Sequence, residues 1–456
     1  MVKKQMSIVE TKGNSFHYQN HQNNNGQEGL MENVVGEQPE ESSIGNMGNA
    51  GGRKRRARDQ QAGAGRNTVS DDGFDVSQKE DLETKNAPRE RRFGFRRMTR
   101  EFAQSNLELL EKLAWAGNSE AMCAIASYYH KGRGGEPDHG KAVEWLQKAA
   151  ELDNPRAFAN LAVCYCYGLG VPVDKAKAVE LLQRASDMGN SESTYQLGMT
   201  YLQGTLVPKD SARGFGLVKR AMDEGVSEAM QPVGLCYVEG IGVEKNLARG
   251  LQIIRSAADD FDQSAAQLWL GEYYGKRENP EHNGPLAFMY MRKAANAGNL
   301  TALHNLAGFH YYGIGCEVNY AKAVKLWKES SDCGWTESLC NLGLCYRDGT
   351  GVRQNGTKAV ELLTKAADQG NIDAMIALAG CYLNGEIVKQ DMSLYLKWIR
   401  TAAEAGNPKS QFLLSMAYET GMGCKANKKE ADKWYSLAMA SGDNDILGLK
   451  DLGLDD

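Results

Sequence analysis

The sequence contains no run of about 18 apolar residues, the length that a membrane-spanning helix requires,. Its first residues, MVKKQMSIVETKGNS, lack the apolar core of a secretory signal peptide. We therefore expect a protein of a reducing compartment, the cytoplasm or the nucleus. Histidine and proline are scarce, with 7 and 10 residues among 456, whereas glycine is abundant, with 50. An excess of glycine of this size indicates a regular use of turns.

Composition divides the chain near residue 100. Residues 1–100 are rich in Asn, Gln, Glu, Gly, Arg and Ser and poor in large apolar side chains, so we expect a disordered N-terminal tail,. They hold 17 Lys and Arg against 14 Asp and Glu, a net charge of +3. The rest of the chain holds 36 against 44, a net charge of −8. The two parts therefore carry charge of opposite sign.

Two basic clusters lie in this tail. The first consists of Arg53, Lys54, Arg55, Arg56 and Arg58, and the second runs from Arg89 to Arg100, with Phe93 and Phe95 among six arginines. The first cluster fits a nuclear-import signal. The second has the composition of a segment that contacts RNA or an anionic membrane. A solvated linker explains both clusters as well, so these interpretations stay open.

Past residue 100 the chain repeats itself with a period of about 36 residues. A turn of the type Ala-Gly-Asn recurs at steps of 36 residues, except for one step of 37. We name the central residue of each turn its anchor; the anchors are Gly117, Asp153, Gly189, Gly225, Phe261, Gly298, Gly334, Gly370, Gly406 and Gly442. Nine units therefore fill residues 118–442.

Each unit contains the same two apolar faces. Ala or Ser lies four residues after the anchor, a large apolar residue eight after it, and Tyr twelve after it, and steps of four share one helix face. The tyrosines are Tyr129, Tyr165, Tyr201, Tyr237, Tyr273, Tyr346, Tyr382 and Tyr418, and the sixth unit has His310 instead. Glycine follows, usually as Gly-x-Gly, and stops the helix. A second apolar face then ends at another small residue, which predicts a helix A, a glycine loop and a helix B.

One helix pair cannot bury both of its faces, whereas stacked neighbours can. The sequence therefore predicts an all-α fold, a right-handed α-solenoid of nine helix-turn-helix repeats of about 36 residues. Residues 101–117, with Phe102, Leu107, Leu110 and Leu113, are expected to form an N-capping helix. Residues 443–456 are expected to close the other end as a C-terminal cap.

The motif A-x3-L-[AG]-x2-Y-x2-G-x-G-V, followed by K-A-x2-[WL]-x3-A, resembles that of the Sel1-like repeat (SLR) proteins, relatives of the tetratricopeptide repeats with a longer inter-helix loop. The resemblance covers about residues 100–456. It implies adaptor and scaffold roles in complexes for signalling, protein quality control or cell-wall synthesis. Three units depart from it: the third and eighth lack the second glycine, with Leu206 and Ile387 in its place, and the fifth has a loop without Gly-x-Gly.

The positions of the cysteines and of the Gly-x-Gly elements follow the repeat and do not form the pattern of a reactive site. Cys164, Cys236, Cys345 and Cys381 all lie eleven residues after their anchors, and no Cys-x-x-Cys occurs, so we expect buried, reduced thiols,. The Gly-x-Gly elements lack the residues of a phosphate-binding loop. No Ser-His-Asp set or carboxylate pair can be argued. We therefore expect no enzyme activity, no cofactor, no metal and no small-molecule substrate.

The face of helix A opposite the core lies about three, six, ten and thirteen residues after the anchor, and in tetratricopeptide-like stacks it lines a concave surface. We name the following residues the candidate groove: Asn160, Val163, Tyr195, Met199, Leu235, His304, Asn305, Asn341, Leu344, Phe412 and Met416. One interpretation is that they hold an extended or helical peptide, with apolar anchors and Asn side chains that pair with its backbone. The other is that neighbouring A helices bury them on one another.

The pattern as a whole predicts a monomeric, non-enzymatic scaffold or adaptor that binds protein partners on the solenoid surface. One alternative is a regulatory or activating subunit of an enzyme complex. A second is nucleic-acid or anionic-membrane binding, which only the tail could support. The residues do not identify the partner.

Overall fold

The computed structural model of the chain describes residues 107–133 and 135–441. These residues form helices, turns and loops, and none of them forms a strand. A helical segment over residues 107–115 (α1) is followed by nine helix pairs, as the repeat predicts. The predictions for the tail (1–100), for Phe102 and for the C-terminal cap (443–456) lie outside the described residues.

The two helices of each repeat alternate along the chain. Helix A runs over Ser119–His130 (α2), Pro155–Tyr167 (α4), Ser191–Gln203 (α6), Met230–Glu239 (α8), Ser264–Gly275 (α10), Leu300–Tyr312 (α12), Thr336–Asp348 (α14), Ile372–Asn384 (α16) and Pro408–Thr420 (α18). Helix B runs over His139–Glu151 (α3), Lys175–Asp187 (α5), Ser211–Asp223 (α7), Leu247–Asp259 (α9), Gly284–Asn296 (α11), Tyr320–Asp332 (α13), Gly356–Asp368 (α15), Met392–Glu404 (α17) and Lys428–Ala440 (α19).

Helix A of the fourth repeat is the shortest. It contains Pro232, which has no backbone N–H to donate within the first turn,. The chain accordingly makes a 3-10 turn over Ser227–Ala229 before α8 begins at Met230. The buried small residue of this repeat, Ala229, keeps its place despite the change.

Helix B begins after an Asp or Asn N-cap in all nine repeats. An Asp or Asn at the N-cap accepts a hydrogen bond from the backbone N–H three residues later, as Asp174 does from Lys177 at 3.0 Å. Its own N–H donates to the carbonyl of the Tyr position in helix A, as Asp174 does to Tyr165 at 2.9 Å. These bonds satisfy helix-end groups and fix the loop that joins the two helices.

The tyrosine position is half-buried in most repeats rather than part of the closed core. In several repeats a cation from the first turn of helix B lies over the ring. Lys177 Nζ is 4.5 Å from the ring centroid of Tyr165, and the Arg213 guanidinium carbon is 4.2 Å from that of Tyr201. The tyrosine therefore links the two helices through its ring and its carbonyl.

The fifth repeat corrects the predicted register. Asp262, not Phe261, occupies the anchor, with φ of 49°. Asp153 does the same in its own turn, with φ of 53°. A short Asp side chain tolerates the left-handed region better than a bulky Phe does. The extra residue of the 37-residue step therefore lies before α10 rather than after it, and Gln263 becomes the N-cap.

Every predicted position in the fifth repeat moves by one residue as a result. The small residue in the core is Ala266, which is fully buried, whereas Ala265 is exposed. The tyrosine that accepts the hydrogen bond from Asn283 is Tyr274 and not Tyr273. The predictions for Ala265 and Tyr273 are therefore wrong, because the doublets Ala-Ala and Tyr-Tyr fit either register.

The described residues form two structural units. The first unit contains residues 107–229 and 240–245. Its apolar core joins α1 to the first repeats through Leu107, Ile125 and Leu161, with Leu110 packed against it. Leu113, which was named in the predicted capping helix, is 43% exposed and faces solvent.

The second unit contains residues 230–239 and 246–441. Its largest fully buried side chains are Trp327, Tyr395 and Phe309. Small residues let the helices approach, since the Ala or Ser four residues after each anchor and the one late in helix B are both fully buried, as Ala302 and Ala294 are. The core of this unit thus follows the pattern that the repeat predicts.

Candidate functional site

The first unit holds four residues of the candidate groove. Val163 and Tyr195 are buried, with 3% and 4% of their surface exposed. Asn160 and Met199 are half-buried. The Asn160 carboxamide forms no hydrogen bond to another described residue. In this unit the accessible part of the predicted surface is therefore one carboxamide and one thioether.

The second unit holds the other seven. Leu344, Phe412 and Met416 are buried within one apolar cluster, with 6%, 3% and 7% of their surface exposed. Half-buried are Leu235, His304, Asn305 and Asn341. Packing between neighbouring helices accounts for the buried apolar residues, and three of the four half-buried groove residues of this unit are polar.

His304 takes part in a contact between repeats. Its Nδ1 lies 2.7 Å from the hydroxyl of Ser338 on α14, and that hydroxyl donates to Ser330 at 2.9 Å. The imidazole also lies 6.1 Å, centroid to centroid, from the indole of Trp335. These contacts hold His304 in the packing between α12 and α14.

Asn305 contacts a residue that the sequence pattern missed. Its carboxamide nitrogen donates to Glu272 Oε1 on α10 at 3.2 Å. Glu272 lies ten residues after the corrected anchor Asp262, the position of Leu344 in its own repeat. The one-residue error in register placed Glu272 at the position of the core cysteines. The left-handed preference of Asp at position 262 is the signal that would have found it.

Burial raises the pKa of the Glu272 carboxyl above its ordinary value, while Lys276 and the hydrogen bond from Asn305 act in the opposite direction. Glu272 forms no ion pair with another described residue. A carboxylate offers about four acceptor sites, so most of its capacity is unused within the described structure.

Two further residues lie near Glu272 in the sequence or at the equivalent repeat position. Trp269 lies one turn earlier on α10, and its ring stacks on Tyr273 with centroids 5.0 Å apart and planes 14° apart. Gly308 lies ten residues after its anchor in the next repeat, and a Cβ on it would meet no heavy atom within 4 Å. Gly308 is itself buried, and it leaves the side-chain space at its position unfilled.

The predicted core cysteines are buried: Cys164, Cys236, Cys345 and Cys381 are 1–5% exposed. None of the ten cysteines forms a disulfide. Burial raises the pKa of the Cys164 and Cys236 thiols to about 11 and that of Cys345 to about 12. Thiols with such pKa values stay protonated at neutral pH and are poor nucleophiles.

Across residues 107–133 and 135–441, no group of three or more His, Cys, Asp and Glu side chains is arranged to hold a metal ion. In that same part of the chain, every helix is too short or too polar to span a bilayer. The basic clusters at Arg53–Arg58 and Arg89–Arg100 lie outside it.

Comparison with known proteins identifies the repeat. The Sel1 repeat matches nine segments, residues 119–154, 155–190, 191–226, 227–260, 264–299, 300–335, 336–371, 372–407 and 408–443. The gap between the fourth and fifth segments coincides with the corrected register.

Two solved structures resemble the chain over most of its length. A protective antigen of uropathogenic Escherichia coli with an SLR fold is 26% identical, with a TM-score of 0.55 over 73% of this chain and 79% of its own. A Sel1 repeat protein from Oxalobacter formigenes is 25% identical, with a TM-score of 0.51 over 68% of this chain and 90% of its own. We found no match among curated proteins. With nine matching segments over most of its length, the chain belongs to the Sel1 repeat family.

Proposed function

We propose that the protein is a non-enzymatic adaptor whose repeats hold an extended segment of a protein partner against the half-buried residues of the candidate groove. One observation carries the proposal: the carboxamide of Asn341 is half-buried and forms no hydrogen bond to another described residue. Asn160 has the same character in the first unit. A carboxamide offers two donors and an acceptor, which match the groups of an extended backbone.

The spacing of the carboxamides in the second unit supports this mode of binding. Asn305 and Asn341 occupy the same position in consecutive repeats, 36 residues apart. Packed helices lie about 8–10 Å apart, and an extended chain advances about 3.3 Å per residue. Carboxamides in consecutive repeats would therefore meet a bound backbone about every third residue.

Membership of a helical-repeat family generally used for protein interaction favours the adaptor role over catalysis. In this proposal the repeats supply the main partner contact, and the tail (1–100) supplies an address or a second contact in the cytoplasm or the nucleus. If the partner proves to be an enzyme that loses activity on removal of this protein, the adaptor acts as its activating subunit.

The test is proximity labelling with the full chain in matched native cells. The groove variant carries Asn160→Ala and Asn341→Ala. The matched control carries Asn319→Ala and Asn355→Ala, which remove N-cap side chains of α13 and α15 and lie away from the candidate groove.

We expect the groove variant to lose the partners that the wild type labels and the control to keep them. The control variant should be the less stable of the two, since each lost cap costs about 1 kcal/mol. Loss of partners in the groove variant alone therefore cannot come from unfolding. Equal labelling by the wild type and the groove variant would overturn the proposal, as would turnover of a substrate by the pure protein.

A further inference from the structure

Glu272 is an exception among the residues of its repeat position. The nine residues that lie ten after the corrected anchors are Ser127, Val163, Met199, Leu235, Glu272, Gly308, Leu344, Gly380 and Met416. Eight of the nine are apolar, small or uncharged, and only Glu272 carries a charge. Five of the others were predicted groove residues, so this carboxylate lies where five other repeats have an apolar side chain.

The Glu272 carboxylate forms no ion pair with a cation of the described residues. It is half-buried, and its one hydrogen bond to another described side chain comes from the neutral carboxamide of Asn305, at 3.2 Å. Lys276, the residue that follows α10, is exposed and forms no ion pair with it, although its charge lowers the pKa of the carboxyl. A desolvated carboxylate without an ion pair is unfavourable, and a cation from outside would relieve the cost.

The neighbouring repeat adds no side chain at the equivalent position, which is occupied by the buried Gly308. Gly308 is one helical turn from Asn305, and the space where its side chain would lie contains no heavy atom within 4 Å. Trp269, half-buried on the turn before Glu272, adds an aromatic ring to the same stretch of α10. A carboxylate, a carboxamide oxygen and an aromatic ring are groups that bind guanidinium and ammonium ions.

We propose that repeats five and six hold a Lys or Arg side chain of the bound partner segment, with its charged group against the half-buried side chains of Glu272 and Asn305. The inference rests on the proposed function and names the kind of partner: an extended peptide with a basic residue. Charge complementarity favours it, since residues 101–456 carry a net charge of −8. Arginine suits the site best because its planar fork can pair with both carboxylate oxygens.

The test selects peptides from a randomised display library on the full chain, with Glu272→Gln as the variant. This substitution keeps the shape of the side chain and removes its charge. Glu361→Gln is the matched control, because Glu361 is exposed on α15 and pairs with Lys365 there. The synthetic peptide of residues 89–100 of this chain is included as a further basic probe. Asn341→Ala serves as a second groove variant, and thermal unfolding checks that all four proteins are folded.

The expected result is that the wild type and Glu361→Gln select peptides with Lys or Arg at one fixed place, and that Glu272→Gln binds them at least tenfold more weakly. If the 89–100 peptide binds the wild type and is also weakened by Glu272→Gln, the result would support the site and identify the tail as an occupant. If the selected peptides contain no basic residue and their binding is lost in Asn341→Ala, the cation site would be overturned and the adaptor function would stand. No selection at all, or peptides insensitive to every groove variant, would overturn both.

Discussion

The backbone carbonyl of Ile387 packs against Gly356, the first residue of α15, so closely that a Cβ on Gly356 would overlap the carbonyl oxygen. In five other repeats the arrangement is reversed: the second glycine of Gly-x-Gly lies against the carbonyl of the first residue of the preceding helix B, as Gly351 does against Tyr320. The second glycine therefore serves close approach between repeats as well as the turn. The eighth repeat has Ile387 in place of that glycine. In this contact the glycine is Gly356, the first residue of the preceding helix B.

We expect Gly356→Ala to destabilise the protein by about 1–3 kcal/mol, the usual cost of overpacking. Gly356 has an ordinary backbone conformation, so the loss would come from the contact with Ile387 and not from strain. Urea unfolding of the full chain measures the change.

The control is Gly308→Ala on α12, where a Cβ meets open space. This substitution should leave stability unchanged or raise it by up to about 1 kcal/mol, because Ala favours a helix over Gly. Equal effects of the two substitutions would show that the contact with Ile387 is unimportant.

Asn154 links two repeats as well as capping a helix. Its carboxamide accepts from the N–H of Ala157 at 3.1 Å and donates to Ser119 at 3.0 Å and to Glu120 at 2.6 Å. Asn154→Ala should therefore cost about 2–3 kcal/mol, the sum of a lost cap and of the lost hydrogen bonds to Ser119 and Glu120,. Asn371→Ala, which removes a cap bond to Ala374 alone, should cost about 1 kcal/mol,. Chemical denaturation compares them, and a smaller loss at Asn154 would contradict the linking role.

Alkylation should separate the cysteines by burial. Cys333 is exposed, whereas burial raises the pKa of the Cys123 and Cys345 thiols to about 12. At pH 7.5 we expect iodoacetamide to modify Cys333 first and the two buried thiols only after unfolding, because the thiolate is the reactive form. Mass spectrometry of peptides after timed labelling measures this order. Labelling of Cys345 as fast as Cys333 in the native protein would refute it.

Glu272 should destabilise the free protein at neutral pH. Its folded pKa is raised, so the folded state holds the proton more firmly than the unfolded state, and stability falls as the pH rises through the titration range,. Glu272→Gln should therefore be more stable than the wild type at pH 7, and the difference should shrink below the ordinary carboxyl value of 4.5. Unfolding midpoints of the wild type and Glu272→Gln at pH 4 and pH 7 test this prediction. A wild type that is more stable than Glu272→Gln at pH 7 would contradict it.

The nine helix pairs were predictable because glycine turns and buried small residues recur at fixed distances. The fifth register was wrong because Ala265-Ala266 and Tyr273-Tyr274 match the pattern in either alignment, and only the backbone preference of Asp262 separates them. Glu272 went unnoticed for the same reason. Whether Val163 or Leu344 would be buried depends on the distance between neighbouring helices, which the sequence of one repeat does not specify.

The most direct test of the adaptor proposal is to find which face of the second unit touches a partner. A photo-crosslinking amino acid would be placed at position 341, in the candidate groove, or at position 361, on the exposed side of α15, in the full chain inside native cells. We predict that the same partner is crosslinked from position 341 and not from position 361. Crosslinks from position 361 alone, or from neither position while the partner still co-purifies, would contradict the account.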